Sequence, residues 1–252
     1  MRLALGTNLV RRAPAALFAI AMPLLLISGS VTWAVNDLRV YEHGFDTYRV
    51  HLVTGIEKDG LMAAARQIRA YFNSSTKPLE VTAVVWGQER ELFNQREVQH
   101  MHDVKRLIWG QYGVGAAAAI YLLGYLALGF SRHKGTFVRP MLVNTLWGSG
   151  LTVALVGMVG LIALIGFDAL FRFFHEVSFS NDLWQLNPRT DYLVMMFPQS
   201  FWLDSTLYVA FASVGTALVL GAVSGGLLLR MRRHERRENQ VMASGASTAA
   251  EL

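Results

Sequence analysis

The sequence predicts a membrane α-helical protein with four transmembrane helices and a small α/β extracytoplasmic domain between the first and second spans. Hydrophobic residues make up 53% of the 252 residues, and charged residues make up 16%. This balance is typical of a membrane protein rather than of one large soluble core. Four apolar stretches each approach the ~20 residues that are needed to cross the hydrocarbon layer. The charged residues cluster between these stretches.

The first predicted span comprises residues 13–35 and forms the second part of an N-terminal segment, 1–35. Its basic flank of Arg2, Arg11 and Arg12 resembles that of a secretory signal peptide. However, the apolar run is longer than the roughly 7–15 residues of a signal core, and no clean small-x-small cleavage site follows it. We therefore expect a span that is retained.

The segment 36–107 is long enough for a small domain. Within it, "GIEKDGLMAAARQIRAYFNSS" predicts an amphipathic helix, and "LEVTAVVW" predicts a strand because it is rich in β-branched residues. The stretch "ELFNQREVQHMHDVKRL" predicts a helix that leads into the second span. The apolar face of the amphipathic helix comprises Ile56, Leu61, Ala64, Ala65, Ile68 and Phe72.

The rest of the chain alternates between apolar spans and polar connections. Gly and Ala recur in the second and fourth spans, which allows helices to approach closely in lipid. The predicted segments are the second span 108–130, a cytoplasmic loop 131–139, the third span and its extension 140–175, an extracytoplasmic loop 176–205, the fourth span 206–229, and a basic tail 230–252 that is partly disordered from about 239.

The charge distribution predicts the orientation. The N-terminal flank, the 131–139 loop and the tail hold eleven of the 23 Lys and Arg residues but only three of the 18 acidic ones. The positive-inside rule places these segments, and so both termini, in the cytoplasm of a multi-pass cell-membrane protein. The net charge of +5 therefore reflects topology, and no nucleic-acid partner is expected.

Several kinds of chemistry are excluded by what the sequence lacks. With no cysteine, the chain has no thiol nucleophile, disulfide or cysteine metal ligand. It also contains no G-x-S-x-G elbow, P-loop, dinucleotide fingerprint or H-E-x-x-H motif. Any catalysis must therefore rely on histidines, carboxylates and other polar side chains.

The stretch "QHMHDVK" contains the first polar constellation. On a helix, Glu97, His100 and Asp103 fall at i, i+3 and i+6, within about 120° of one face, while His102 points about 200° away from His100. An imidazole flanked by carboxylates suits a histidine general base. The alternative is a solvated helix end next to the membrane.

The second constellation is Asp168, Arg172 and His175, at i, i+4 and i+7 near the end of the third span. This spacing predicts an Asp168–Arg172 ion pair. Aromatic residues surround His175 in "FRFFHEVSF", which also suits an ordinary interfacial aromatic belt. Ionisable residues close to a membrane are nevertheless candidates for function.

The extracytoplasmic loop supplies a third group. Its turn formers and aromatic residues predict either a structural loop that dips toward the membrane or the wall of a lipid-binding cleft. The candidate wall residues are Asn181, Trp184, Asp191 and Phe197.

Two separate blocks resemble a known family. "REVQHMHDVK" resembles an E-x-x-H-x-x-D-V-K signature, and "FDALFRFFHEVSFSNDLWQLNPRTDYLVMMFPQSFWLD" resembles a second block with FH, N-x-x-W, a later Asp and FP. "AYFN" before the strand also fits. Over nearly its whole length the chain resembles the integral membrane family that includes bacterial lipoprotein intramolecular transacylase.

The resemblance implies an acyltransferase that acts on S-diacylglyceryl-cysteine lipoproteins. It would move the sn-2 acyl chain onto the lipoprotein's own N-terminal α-amine and give the lyso-form lipoprotein. The family's two essential histidines map onto His100 and His175, one as base and the other as acid or oxyanion stabiliser. Glu97, Asp103 and Asp168 would orient them, with Arg172 as a polar clamp.

The implied partners are the diacylglyceryl-modified lipoprotein and membrane lipids, with no cofactor or metal. Two other hypotheses stay open at this point. One is a non-catalytic four-span accessory or scaffold subunit of a membrane complex. The other is a metal-dependent membrane hydrolase, which needs a third ligand beside His100 and His175.

Overall fold

The computed structural model describes the backbone of residues 2–75 and 78–250, with side chains for 13–75, 78–240 and 242. The described chain is mostly helical. Its elements are α1 (Arg2–Asn36), α2 (Leu38–Thr47), α3 (Val50–Thr54), α4 (Lys58–Phe72), β1 (Thr82–Val85), β2 (Gln88–Glu91), α5 (Gln95–His133), a 3₁₀ turn (Lys134–Phe137), α6 (Val138–Ser178), α7 (Tyr192–Met196) and α8 (Gln199–Ala250).

Three helical stretches in the described part of the chain are long and apolar enough to cross a membrane: Ala13–Asn36, Gln95–Ser178 and Gln199–Gln240. The second stretch is 84 residues long and contains both α5 and α6, so it includes the predicted spans 108–130 and 140–175. The basic side chains predicted to flank the first span, Arg2, Arg11 and Arg12, lie outside the described side chains. α8 continues through Ala250, into the segment for which disorder is predicted, and residues 251–252 lie outside the described residues.

The amphipathic helix predicted after Gly55 is confirmed as α4, which buries the predicted apolar residues from Leu61 to Phe72 and Tyr71 in addition; Ile56 is also buried but lies just before the helix begins. The predicted strand is confirmed as β1, which pairs antiparallel with β2 from Thr82↔Glu91 to Val85↔Gln88. β2 was not predicted, because its sequence "QERE" is fully exposed and has no apolar alternation.

The described structure divides into two compact units. One comprises Met1–Leu26, Ala117–Leu155 and Ser213–Leu252. It contains a small apolar cluster around Phe18, Met22 and Leu122. Polar side chains cross-link its helices, because Tyr121 donates to the Pro14 carbonyl and Asn144 donates to the Tyr125 hydroxyl.

The other unit, Ile27–Ala116 and Val156–Ala212, contains the larger core and every candidate site residue. α2, α3, α4, the hairpin and the start of α5 pack with the segment 186–201 around this core. Its most deeply buried large side chains include Phe45, Ile56, Leu61, Ile68, Leu92 and Met196.

α6 is interrupted at Gly166, whose φ of −159° and ψ of 67° are not helical. A segment of about three turns follows this break and ends at Ser178. The segment carries Asp168, Arg172 and His175, so the break sets the direction in which these three side chains point.

Candidate active site

The two histidines singled out in the sequence lie side by side. His100 comes from the second turn of α5, and His175 comes from the last turn of α6. Their ring centroids are 6.0 Å apart, with 30° between the ring planes. Both side chains are buried, at 6% and 7% exposure. No hydrogen bond joins the rings in the described structure, so each is available to a third group placed near both.

One hydrogen bond determines the proton position of His175. Its Nδ1 lies 2.7 Å from the backbone carbonyl oxygen of Phe171, one helical turn earlier. A carbonyl oxygen can only accept, so Nδ1 must carry the proton. The lone pair of neutral His175 is therefore on Nε2, which is the arrangement required of a general base.

His100 has a different environment. Its Nδ1 is buried and has no hydrogen-bond partner. Burial, and to a smaller extent the nearby His175, lower the pKa of His100 to about 4, while the Asp103 carboxylate partly opposes both effects. His100 lies before the apolar run of α5, which starts near residue 108. With this lowered pKa, the His100 imidazole is neutral at physiological pH.

Aromatic rings surround the pair. Phe171 lies 4.2 Å from His175 between ring centroids, and Trp184 lies 5.0 Å from it. Phe179 contacts both histidines, at 5.1 Å from His100 and 5.5 Å from His175. These rings make the surroundings of the imidazoles apolar, and they favour the neutral form of both.

The loop after α6 is attached to α5 beside the pair. Asn181 donates from Nδ2 to Asp103 Oδ2 at 2.9 Å, and Arg96 donates to the carbonyl of Asp182. Asp103 therefore holds the loop and affects His100 through its charge, not through a hydrogen bond. Trp184 lies two residues beyond the Arg96 contact, so this attachment holds its ring against His175.

Glu97 is 1% exposed and binds backbone rather than histidine. Its Oε2 accepts from the Asn94 amide at 2.8 Å, while Asn94 Oδ1 accepts from the Glu97 amide at 3.1 Å. This reciprocal pair is a capping box at the start of α5. Glu97 Oε1 accepts from the Leu193 amide at 2.6 Å. Burial raises the pKa of Glu97, while the two amide hydrogen bonds lower it.

Asp191 and Phe197 belong to the packing that supports the loop. Asp191 accepts from Asn94 Nδ2 at 3.0 Å and from the Asn187 amide at 2.7 Å, so it continues the Glu97 network. Phe197 is buried in the core and packs 5.1 Å from Phe201 between ring centroids. Neither residue contacts the two histidines.

The ion pair predicted between Asp168 and Arg172 is wrong. Both residues are described, and no salt bridge within 4.0 Å joins their charged atoms; Asp168 Oδ1 instead accepts from Gln199 Nε2 at 2.6 Å. Gln199 is the first residue of α8, so this bond connects the end of α6 to the beginning of α8. Both predicted partners are exposed, which weakens any attraction between them.

His102 is separated from the pair, as the helical spacing predicted. It lines an open cleft of about 580 Å³ together with Asp103, Asn181, Leu183 and residues of α5, whereas His100 and His175 do not line this cleft. In the described part of the chain, no group of three or more His, Asp or Glu side chains is arranged to hold a metal ion.

Several contributors to the site were not singled out in the sequence, among them Phe171, Arg96, Asn94 and Phe179. Asn94 begins the capping box, and its signal was available as the N-x-x-E spacing before a helical run. Phe179 is the ring shared by both histidines. Nothing in a single sequence distinguishes it from the other phenylalanines of "FRFFHEVSF".

Comparison with known families matches residues 16–202 to the family described as lipoprotein intramolecular transacylase Lit. The chain belongs to the Lit family. Membership supports lipoprotein intramolecular transacylase activity in general and a location in the membrane. A protein of Aquifex aeolicus (strain VF5), described as uncharacterized, is 27% identical over 124 residues, which are 49% of this chain and 52% of that protein.

Solved structures of the Lit family share the fold. The membrane integral Lit from Bacillus cereus has a TM-score of 0.73 at 15% identity, covering 90% of this chain and 99% of that chain. A histidine-to-arginine variant of the same protein has a TM-score of 0.72 at 16% identity, covering 92% and 98%. At these identities the likeness is one of fold.

Proposed function

We propose that this protein is a membrane acyltransferase that moves the sn-2 acyl chain of an S-diacylglyceryl-cysteine lipoprotein onto that lipoprotein's own N-terminal α-amine. The product is the lyso-form lipoprotein. The observation that carries the proposal is the buried pair of imidazoles, 6.0 Å apart, one of which has its proton position set by a backbone carbonyl. Family membership supports the same reaction class.

We assign the role of base to His175. The amine nitrogen attacks the ester carbonyl carbon, and a C–N bond forms as an N–H proton passes to His175 Nε2. Collapse of the tetrahedral intermediate breaks the bond between the carbonyl carbon and the glycerol oxygen. The proton on His175 then moves to that oxygen, so the enzyme ends in its starting state and the substrate is isomerised.

We assign the role of oxyanion stabiliser to His100. A neutral imidazole has one N–H, which can donate to the carbonyl oxygen as negative charge develops on it. Because burial keeps His100 neutral, it can act without first taking a proton from solvent. Asp103, Asn181 and Trp184 are positioning residues for the loop that covers the pair.

No enzyme nucleophile is needed in this mechanism, because the amine and the ester belong to one molecule. Holding the two groups together replaces a bimolecular step by an intramolecular one, which can supply several kcal/mol of the barrier. The aromatic rings around the histidines also exclude water, which limits hydrolysis of the ester in place of transfer.

We also propose four spans, with both termini in the cytoplasm and the histidine pair on the extracytoplasmic side. α5 and α6 are joined by the short basic turn at Lys134, and α8 ends in the basic tail. Because the chain has no cysteine, a single introduced cysteine reports which side of the membrane its position lies on. Glu80→Cys should react with an impermeant maleimide from outside intact cells, and Arg139→Cys only after lysis. The reverse pattern would refute this orientation.

The proposed reaction is tested by expression in a host whose lipoproteins lack N-acylation. Intramolecular transfer leaves the lipoprotein mass unchanged, so tandem mass spectrometry must locate the acyl chain on the terminal amine. We expect the N-acyl, S-monoacylglyceryl form with the native chain. We expect its loss with His175→Gln and with His100→Gln.

His102→Gln is the matched control, since it changes the neighbouring histidine on the opposite face of α5 and should leave the product unchanged. Equal loss in all three variants would point to a folding defect, which thermal unfolding of the purified proteins would reveal. A lipoprotein that stays in the diacylglyceryl form beside folded native protein would refute the enzyme and favour a non-catalytic subunit.

A further inference from the structure

An apolar patch lies on the surface of the unit that contains the histidines, and the proposed reaction does not use it. The patch comprises Leu52, Val53 and Trp86, which are 62%, 57% and 76% exposed. Leu52 and Val53 belong to α3, and Trp86 is the first residue of the turn between β1 and β2. We call these three residues the α3 patch.

The three side chains form one surface because α3 and the hairpin turn are bonded to each other. The Trp86 amide donates to the Gly55 carbonyl at 2.9 Å, immediately after α3 ends. The indole ring covers Gly55 so closely that a Cβ there would lie 2.2 Å from it. The turn thus holds the Trp86 ring against Gly55, two residues after Val53 and three after Leu52.

The backbone around the patch is strained. Four of the five residues with positive φ in the described chain lie here: Arg49, Gly55, Trp86 and Gly87. A bulky residue such as Trp86, with φ of 51°, is an outlier at this backbone conformation, which costs free energy. Burial of the indole does not offset this cost, because the ring is mostly exposed.

Contacts from Tyr48 and His43 place α2 and the corner between α2 and α3 beside the beginning of α8. The Tyr48 hydroxyl donates to Asp204 Oδ2 at 2.5 Å and to the Ser200 carbonyl at 3.2 Å. The rings of His43 and Tyr208 are 6.0 Å apart between centroids. The predicted fourth span begins at residue 206, so these contacts lie where α8 enters the membrane, and α3 follows within two residues.

We propose that the α3 patch inserts into the outer leaflet of the membrane, at the boundary between headgroups and acyl chains. Exposed Trp and aliphatic residues at this level are stabilised by the interface, where the indole ring is amphipathic and Leu and Val leave water. Insertion offsets the strain at Trp86. It also fixes the small helical and hairpin region against the lipid from which a lipid-anchored substrate arrives.

Spin labels on single cysteines test the insertion in proteoliposomes of phosphatidylcholine and phosphatidylglycerol. The label is placed by Val53→Cys and, as a second site, by Leu52→Cys. Glu80→Cys provides a water reference, and Leu164→Cys, at a position that is 65% exposed on α6, provides a lipid reference. Collisions with oxygen and with a water-soluble nickel chelate are compared at each site.

We expect both α3 labels to show an oxygen-to-nickel collision ratio raised well above that of Glu80→Cys, toward that of Leu164→Cys. A ratio equal to that of Glu80→Cys would place the patch in water and overturn the proposal. Labels shielded from both reagents would also overturn it, because they would indicate a protein contact. Neither result depends on whether the transacylase reaction occurs.

Discussion

At the scale of single residues, two identical side chains are made different by their partners. The Phe171 carbonyl sets the proton of His175 on Nδ1, whereas His100 has a buried Nδ1 with no partner. Helical spacing separates His100 from His102 in the sequence alone. The partner of His175 was not predictable, because a backbone acceptor within the same helix leaves no trace in residue identity.

The environment of His100 predicts an unusual titration. Its folded-state pKa, about 4, lies below the ordinary value of 6.5, so the unfolded chain binds a proton between these values that the folded chain does not. The contribution of His100 to stability is complete above pH 6.5 and is lost as the pH falls toward 4. NMR of protein with ¹⁵N-labelled histidine measures this titration, and the His100 signal is assigned from its absence in His100→Gln. The His100 ring should still be neutral at pH 5.5. A midpoint at or above 6.5 would contradict this.

At the scale of elements, the beginning of α5 depends on one carboxylate. The sequence suggested that Glu97 orients His100, since the two share a helix face. In the structure its two oxygens accept from the Asn94 and Leu193 amides instead. Glu97 and His100 do share a helix face, but the carboxylate oxygens of Glu97 are occupied by the helix cap and by an amide of α7. Glu97 therefore supports the site through α5 and α7.

Glu97→Gln should destabilise the protein. Glutamine has one side-chain oxygen, so one of the two amides loses its acceptor in a site that is 1% exposed, at a cost of about 1–3 kcal/mol. Thermal unfolding in detergent should show a lower midpoint than for the native chain. Glu80→Gln, on an exposed residue, should leave the midpoint unchanged; equal midpoints for both variants would argue against the capping role.

The break in α6 is the second element that shapes the site. Alanine at position 166 would favour a continuous helix by about 1 kcal/mol and would reorient the segment that carries His175. A Cβ at Gly166 meets no atom within 4 Å, so overpacking is not the cause of any effect. Gly166→Ala should lower transacylation by roughly 10- to 100-fold, as expected for a small misplacement of a reacting group.

Gly157→Ala is the control for that change, because it lies in the same helix and its added Cβ also meets nothing within 4 Å. It should retain full activity in the tandem mass spectrometry assay. Full activity of Gly166→Ala as well would mean that the break does not position His175.

At the scale of the whole molecule, hydropathy predicted most of the helical architecture. The apolar runs lie within the long helices, and α4 and β1 occur where periodicity placed them. Periodicity could not predict β2, which is paired only through its backbone and carries no buried residue. Nor could it predict that His100 and His175 meet, since that depends on how α5 and α6 pack; only the family resemblance brought the two blocks together.

The apolar shell around the two imidazoles has a consequence for how turnover responds to acidity. The neutral imidazoles can accept or donate a proton, but a protonated amine has no lone pair with which to attack, so the lipoprotein's α-amine must lose its proton before the reaction begins. The rate should then rise with pH along the titration of that amine, with a midpoint of about 7.7–8.0. A lipoprotein whose N-terminal amine has a lower pKa should shift the midpoint of the rate profile downward by the difference between the two amine pKa values. A midpoint that stays fixed would assign the titration to the enzyme.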